Sequence, residues 1–275
     1  MNPKMNNGNT ILIEQEREEN LLLLAAQRAA YSSAKVIDFW AAVVFLGIPL
    51  AVTVYQSFCA LPFSVIVVLD VAVLLIGTVV MLISEGRVRL GARIQQRFDS
   101  VVFGMRFENT ESDETQVKKY EARYRKRHSD LSDFNLWYSV SLEGLTAGKA
   151  IARCQTQNAY WTSGLMRAYL ICLFVLAIIV GALIALLVFF TCQNPASYAF
   201  LLSILEWTIA QGAKGIRVSM KARNLSKDIG HYNLIHKASI ERTQNDIFEY
   251  RSASFLVPDW FYNLRKKMDE ARTTA

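Results

Sequence analysis

The stretch FSVIVVLDVAVLLIGTVVML, from Phe63 to Leu82, decides the fold, because it is long enough to cross a membrane and carries a single charge, at Asp70. A bilayer core about 30 Å thick needs about 20 helical residues for one crossing. In lipid, a crossing segment must satisfy its own backbone hydrogen bonds, so this stretch is predicted to be a helix and not a strand.

Working outward, the stretch belongs to a run of 46 residues, 39–84, whose only charged residue is Asp70. A second run of 46 residues, 168–213, contains only Glu206 as a charged residue. Each run is long enough for two crossings joined by a tight turn. Four membrane helices are therefore predicted, at 39–58, 63–84, 168–190 and 196–213.

The basic residues predict the orientation. The polar segments 1–38, 85–167 and 214–275 carry 4, 14 and 12 lysines and arginines, which is all 30 in the chain. Loops rich in lysine and arginine stay in the cytoplasm, so both termini and the middle segment are predicted to lie there, beneath the inner membrane. Attraction to anionic lipid explains the net charge of +6, and neither DNA nor RNA is a predicted partner.

The predicted fold class is all-α, with four transmembrane helices. A helical cytoplasmic domain lies between helices 2 and 3, and a helical cytoplasmic segment ends the chain. Residues 11–37 are predicted to form one amphipathic helix that runs on into the first crossing. The predicted parts are the N-terminal helix 1–38, transmembrane hairpin 39–84, cytoplasmic domain 85–167, transmembrane hairpin 168–213 and C-terminal segment 214–275.

No catalytic, cofactor or metal motif is found. GLTAGKA, 144–150, looks like a phosphate-binding loop, but one residue too few separates its glycines and Ala150 replaces the magnesium-binding Ser or Thr. The 3 histidines are scattered and the 4 cysteines have no C-x-x-C spacing. The protein is predicted not to be an enzyme. A disulfide between Cys59 and Cys192 stays open.

The two carboxylates in the apolar runs are candidates for a pore or gate. Insertion of the helix around Asp70 gains roughly 6 kcal/mol from its apolar residues and loses about 3 kcal/mol to the carboxylate, so the helix still inserts. Ionisable residues in such helices face a bundle interior or a water-filled cavity. Ser203 shares the face of Glu206 and extends a polar surface. The alternative, hydrogen bonding inside a solid bundle, remains open.

Small residues spaced by four predict close helix packing. Four helices of one chain pack solid around their side chains, so a pore would need several copies, and a homo-oligomer is predicted. The candidate packing residues are Gly47 and Ala51 in the first crossing, and Ala177, Gly181 and Ala185 in the third.

The end of the chain, SFLVPDWFYNLRKK (254–267), is aromatic and basic. Helical spacing predicts that Trp260, Phe261, Leu264 and Met268 share one helical face. Such a segment lies at a lipid surface or caps the core of its own protein, and the sequence leaves both interpretations open.

Three blocks resemble a known family: LLAAQRAAYSSAK (23–35), LWYSVSLEGLTAGKAIARCQTQNAYWTSGLMRAYL (136–170) and NDIFEYRSASFLVPDWFY (245–262). They are similar to blocks of the bacterial four-transmembrane, SMODS-associated pore-forming effectors of CBASS-type cyclic-oligonucleotide anti-phage signalling. The resemblance implies a lipid-bound effector that permeabilises the inner membrane when it binds a cyclic oligonucleotide made by a partner nucleotidyltransferase. The alternative is a non-conducting membrane scaffold or receptor subunit that a partner protein triggers.

A nucleotide ligand needs forked cationic donors for its phosphates and flat rings on which its bases stack. The predicted cytoplasmic domain offers both. The alternative is that these arginines only face anionic lipid or solvent. The candidate nucleotide-binding residues are Arg89, Arg93 and Arg97, spaced by four, and Tyr120, Arg123, Tyr124 and Arg127.

Overall fold

The computed structural model describes residues 5–56, 58–59, 61–191, 201–231, 237–253 and 255–265. Within these ranges there is no strand, and the predicted all-α class is confirmed. The helices are α1 Gly8–Gln15, α2 Glu18–Ala42, α3 Ile48–Gln56, α4 Phe63–Phe103, α5 Glu111–Arg125, α6 Ala147–Thr191, α7 Leu201–His231 and α8 Lys237–Ser252.

The predicted N-terminal helix is two helices. The Asn7 side chain caps α1 by accepting the backbone N–H of Thr10 at 2.9 Å. At the other end of α1, the Asn20 side chain donates to the carbonyl of Glu14 at 2.7 Å. The chain turns there, and α2 begins at Glu18. The prediction of one helix over 11–37 missed this break, because side-chain hydrogen bonds replace the helical ones locally.

The first predicted crossing contains a widened turn. Between α2 and α3, residues 43–47 form a π-helical turn, in which the Ile48 N–H bonds to the carbonyl of Val43, five residues back. Pro49 follows at once and has no N–H to offer the preceding turn. A π-turn is one of the ways in which a helix absorbs such a lost bond.

The chain divides into two compact units. We call them the core unit, residues 1–34, 85–164 and 218–254, and the span unit, residues 35–84, 165–217 and 255–275. Four of the boundaries, at 34/35, 84/85, 164/165 and 217/218, fall inside α2, α4, α6 and α7. The chain therefore passes between the units four times within a continuous helix.

The core unit is built around buried aromatic rings. Tyr138 stacks on Phe98 of α4 at 6.3 Å between ring centroids and lies 5.5 Å from Phe103. Gly104, with φ of +67°, follows the last residue of α4 in the left-handed conformation that glycine adopts freely. Other buried members include Leu24, Tyr120, Ile151 and Ile240.

In the span unit, α4 packs against the turn that precedes α3. Phe45, Ile66 and Val73 form a buried cluster, and Trp207 of α7 packs against it. A Cβ atom at Gly77 would lie 2.2 Å from the Phe45 ring, so the approach of the two segments requires glycine.

Three stretches of the described chain are long and apolar enough to cross a membrane: Glu18–Gln56, Phe63–Phe103 and Ala147–Ile179. At most 22% of their most apolar windows is buried inside the protein, which leaves most of that surface for lipid. The fourth predicted crossing, 196–213, starts outside the described residues and continues into α7. Cys192 also lies outside them, so the four-crossing topology and the open disulfide stay predictions.

Candidate functional site

The predicted arginine row on α4 is largely engaged by α5. The Nε and Nη2 atoms of Arg93 bond to the two carboxylate oxygens of Asp113 at 2.5 and 2.7 Å. The Nη2 atom of Arg97 bonds to Glu114 at 2.8 Å. The fork-to-fork pair of Arg93 and Asp113 fixes the orientation of both partners. The two arginines therefore clamp α5 against α4.

Asp113 serves both the clamp and the start of α5. Its carboxylate accepts the backbone N–H of Thr110 at 2.9 Å, and the Thr110 side chain accepts the N–H of Asp113 in return. This is a capping box. The hydrogen bond from Arg93 lowers the pKa of Asp113, and the bonds to Thr110 lower it further. The hydrogen bond from Arg97 likewise lowers the pKa of Glu114.

The two candidate stacking rings lie inside the core unit. Tyr120 and Tyr124 are buried. The Tyr120 hydroxyl accepts a hydrogen bond from Arg87 at 2.5 Å, and the Arg123 guanidinium lies 5.8 Å from the Tyr120 ring. Tyr124 stacks on His128 at 4.6 Å. Burial of the rings leaves no free face for a base in this conformation.

The remaining candidates, Arg89, Arg123 and Arg127, are exposed. The structure thus separates the seven candidate residues into a clamp, two core tyrosines and three exposed arginines. Their role in nucleotide binding stays a prediction.

Sequence reasoning missed the most deeply buried charge pair of the described residues. Asp99 of α4 is 0% exposed, the Arg251 side chain of α8 is 8% exposed, and their Oδ2 and Nη1 atoms are 2.6 Å apart. The Tyr138 hydroxyl donates to the other Asp99 oxygen at 2.6 Å. In the sequence, Asp99 directly follows the apolar residue Phe98 and gave no sign of a buried partner. Arg251 lies in the third block of the family resemblance, 245–262. Its position in that block was the only indication in the sequence that Arg251 has a special role.

Arg251 and Tyr138 both stay in the ionisation state that these contacts need. Burial by itself lowers the pKa of Arg251, but the neighbouring Asp99 charge more than offsets this, and the pKa ends above its ordinary value. Burial raises the pKa of Tyr138, and the negative charge of Asp99 adds to the rise. Arg251 therefore stays charged, and Tyr138 stays a hydrogen-bond donor.

Buried glutamines extend the ion pair into a network. Gln244 of α8 donates to Asp99 at 2.9 Å and to Gln96 at 3.0 Å. Gln155 of α6 donates to the side-chain oxygen of Gln244 at 3.1 Å. Three helices that are distant in sequence thus share one set of buried polar bonds. Such a network is costly to leave half-satisfied, so it favours a single arrangement of α4, α6 and α8.

The pore candidates belong to two helices. Asp70 lies in α4 and is half-buried. Ser203 and Glu206 lie in α7, but their side chains are outside the described part of the structure. Their assignment to a pore or gate stays a prediction.

The predicted packing residues are mostly exposed. Ala51, Gly181 and Ala185 are exposed, and the nearest side-chain atom to a Cβ at Gly47 would be 3.7 Å away. Ala177 lines a groove of about 300 Å³ between α6 and α7. The close approaches of the described span unit occur instead at Gly77 and at Gly215, where a Cβ would lie 2.6 Å from Leu170. The role of the five predicted residues is therefore untested within one chain.

Long apolar helices joined to a polar helical unit define a helical membrane protein. Comparison with known proteins then gives its family: the family model of the SMODS-associating 4TM effector domain matches residues 9–275, and the chain belongs to this family. The resemblance predicted from the three sequence blocks is confirmed. In its coarse function, the protein is a membrane effector of bacterial anti-phage signalling.

One relative is a probable CBASS effector molecule of Bacillus cereus strain VD146. It is 24% identical over 290 residues, which cover 95% of this chain and 95% of the relative. No solved structure matches the chain.

Proposed function

We propose that the protein is a pore-forming or membrane-disrupting effector that permeabilises the bacterial inner membrane when it binds a cyclic oligonucleotide from a partner nucleotidyltransferase. Membership of an effector family and the similarity to a probable CBASS effector support the class of function. The absence of any catalytic motif in the sequence favours direct action on the membrane over an enzymatic product.

The observation that carries the proposal is the continuity of the helices. The boundaries between the core unit and the span unit fall inside α2, α4, α6 and α7. A ligand that binds one arrangement of the core unit better than another shifts the population toward it. Because the same helices continue into the span unit, such a shift changes the segments that face lipid.

Half-buried Asp70 is the described carboxylate that we place on the conducting path. The described span-unit helices offer lipid a mostly apolar surface, and a carboxylate in such a helix needs water or a polar partner. In an oligomer, Asp70 and Glu206 line a shared polar path. The exposed small residues Gly181 and Ala185 suit contact with neighbouring copies, as close helix packing requires.

The direct test uses purified protein in liposomes loaded with an ion-sensitive dye. We expect dye release on addition of one cyclic di- or trinucleotide and none with linear nucleotides of the same sequence. Protein that binds a cyclic nucleotide without releasing dye would favour the non-conducting scaffold or receptor subunit. Failure of every cyclic nucleotide to bind would favour a partner protein as the trigger.

The proposed topology has a separate test. Both termini and residues 85–167 are proposed to be cytoplasmic, because all 30 lysines and arginines lie in these segments. A reporter enzyme that is active only in the periplasm should be silent when it is fused after Ala275. An active fusion would place the C-terminus in the periplasm and overturn the proposed topology.

A further inference from the structure

The chain after α8 forms an aromatic segment, residues 255–265, which belongs to the span unit. One side of this segment is held by the protein. Tyr169 of α6 contacts Phe255 at 5.6 Å and Phe261 at 5.2 Å between ring centroids. Lys35 of α2 forms an ion pair with Asp259. The segment is thus fixed to two helices that are distant in sequence.

A third contact fixes the segment to α7. Phe255 is buried, and its ring lies so close to Gly215 that a Cβ there would be 2.7 Å from the ring. Glycine at this position lets the Phe255 ring rest directly on the helix backbone. Three helices, α2, α6 and α7, therefore hold the inner side of the aromatic segment.

The contact points lie at the ends of the apolar runs. Lys35 lies just before the run 39–84, Tyr169 is the second residue of the run 168–213, and Gly215 follows the end of that run. The ends of apolar runs mark the boundary between hydrocarbon and water. The segment is therefore held at that boundary.

The other side of the segment is apolar and uncovered. Trp260 is 62% exposed, Tyr262 43% and Leu264 51%. Tryptophan and tyrosine concentrate at membrane interfaces, where the ring enters the acyl region and its polar atom meets the headgroups. The sequence continues with Arg265, Lys266 and Lys267, a charge pattern that suits anionic headgroups.

We propose that the aromatic segment is an interfacial anchor, with Trp260, Tyr262 and Leu264 inserted between the phospholipids of the leaflet that faces the lysine- and arginine-rich segments. The two interpretations that the sequence left open then apply to opposite sides of one segment. Phe255 and Phe261 face the protein, and Trp260 faces lipid. The occupant of the exposed face is the headgroup–acyl boundary of the bilayer.

The test measures quenching of tryptophan fluorescence by phospholipids brominated near the headgroup. Full-length protein is placed at one copy per nanodisc. We expect W260F to lose a share of the lipid quenching that the wild type shows. The control W137F removes a tryptophan that packs on the buried core of the core unit, and it should not lower the quenched fraction.

A pair of rescue variants makes the test directional. In the W260F background, Y262W should restore the quenching, because position 262 faces outward. F261W in the same background should not, because Phe261 faces Tyr169. Equal quenching in wild type and W260F would overturn the anchor. The anchor would also be overturned if Trp260 emission changed with the number of protein copies per nanodisc and not with brominated lipid. A second copy of the protein would then cover the exposed face of the aromatic segment.

Discussion

Asp99 and Arg251 are 152 residues apart in the chain and form an ion pair of 2.6 Å inside the core unit. The pair joins the end of α4 to the end of α8. Arg251 is also only four residues before Phe255, the ring that rests on Gly215 in the span unit.

Loss of Arg251 is expected to destabilise the protein strongly. In R251M, the buried Asp99 carboxyl loses its cation, and breaking one side of a buried pair costs about 3–5 kcal/mol. The double variant D99L/R251M should be more stable than R251M, because it buries no unpaired charge. Thermal unfolding in detergent measures both. If the losses of stability in D99L and R251M added up to the loss in the double variant, the two residues would not act as a pair.

The close approach at Gly77 predicts opposite effects for two glycines of α4. G77A places a Cβ against the Phe45 ring, and overpacking of this kind costs about 1–3 kcal/mol. G86A should stabilise the helix by up to about 1 kcal/mol, because nothing lies within 4 Å of a Cβ there.

The unfolding temperatures of G77A and G86A provide the measurement. Adding F45A to G77A should remove the clash, so that G77A costs less in the F45A background than in the wild type. An equal cost in both backgrounds would show that the ring is not the obstacle.

The clamp between α4 and α5 predicts a pH dependence. Because Arg93 holds the folded-state pKa of Asp113 below its ordinary value, the ionised carboxylate stabilises the fold at neutral pH. This contribution is lost as the pH falls below about 4, where the unfolded carboxyl binds a proton. The gap in unfolding temperature between wild type and D113N should therefore be present at pH 7 and shrink toward pH 3.

The matched control for the clamp is E111Q, on the exposed first turn of the same helix. The unfolding temperature of E111Q should differ little from that of the wild type at both pH 7 and pH 3. A D113N gap that persists unchanged at pH 3 would mean that charge does not hold the clamp.

The membrane carboxylates predict a separation of insertion from activity. D70L removes an insertion cost of about 3 kcal/mol, so the protein should insert at least as well as the wild type. Dye release from liposomes should nevertheless fall sharply, and the same is expected of E206L. D70N keeps a polar group and should change conductance without unfolding the protein.

The control V68L changes a 67% exposed neighbour of Asp70 and should leave dye release unchanged. Wild-type release in both leucine variants would remove the carboxylates from the mechanism.

The exposed arginines predict how nucleotide binding differs from lipid attraction. Attraction to anionic lipid is about 1 kcal/mol for each basic residue, whichever one is lost. A binding pocket depends on particular side chains. R123A should therefore weaken binding of a cyclic oligonucleotide to detergent-solubilised protein, whereas K126A, an equal change in charge on an exposed neighbour, should not. R93A should weaken binding and also lower the unfolding temperature, because Arg93 holds α5. Equal losses in R123A and K126A would leave only nonspecific attraction.

Much of the helical architecture was predictable because it depends on local composition. Asp70 in an apolar run predicted the helix that became α4, and the boundary at 84/85 between the units follows the end of that run. The break before Glu18 was not predicted, because it depends on the Asn20 side chain reaching the carbonyl of Glu14.

The candidate site was predictable in part. Spacing by four placed Arg93 and Arg97 on one face of a helix, but it did not show that Asp113 and Glu114 would engage them. Tyr120 and Tyr124 were chosen as stacking surfaces, yet burial in the core unit is set by what packs over them from other segments.

The sequence by itself determined which segments prefer lipid, which termini carry the positive charge and which family the chain resembles. These properties are sums over neighbouring residues, so a single chain read in order is enough to estimate them. Only the tertiary structure decided that Asp99 meets Arg251, that Gly77 admits Phe45 and that Trp260 faces outward while Phe261 faces Tyr169. Each of these contacts depends on which segments, distant in sequence, come together in space, and the order of residues along one chain does not show this.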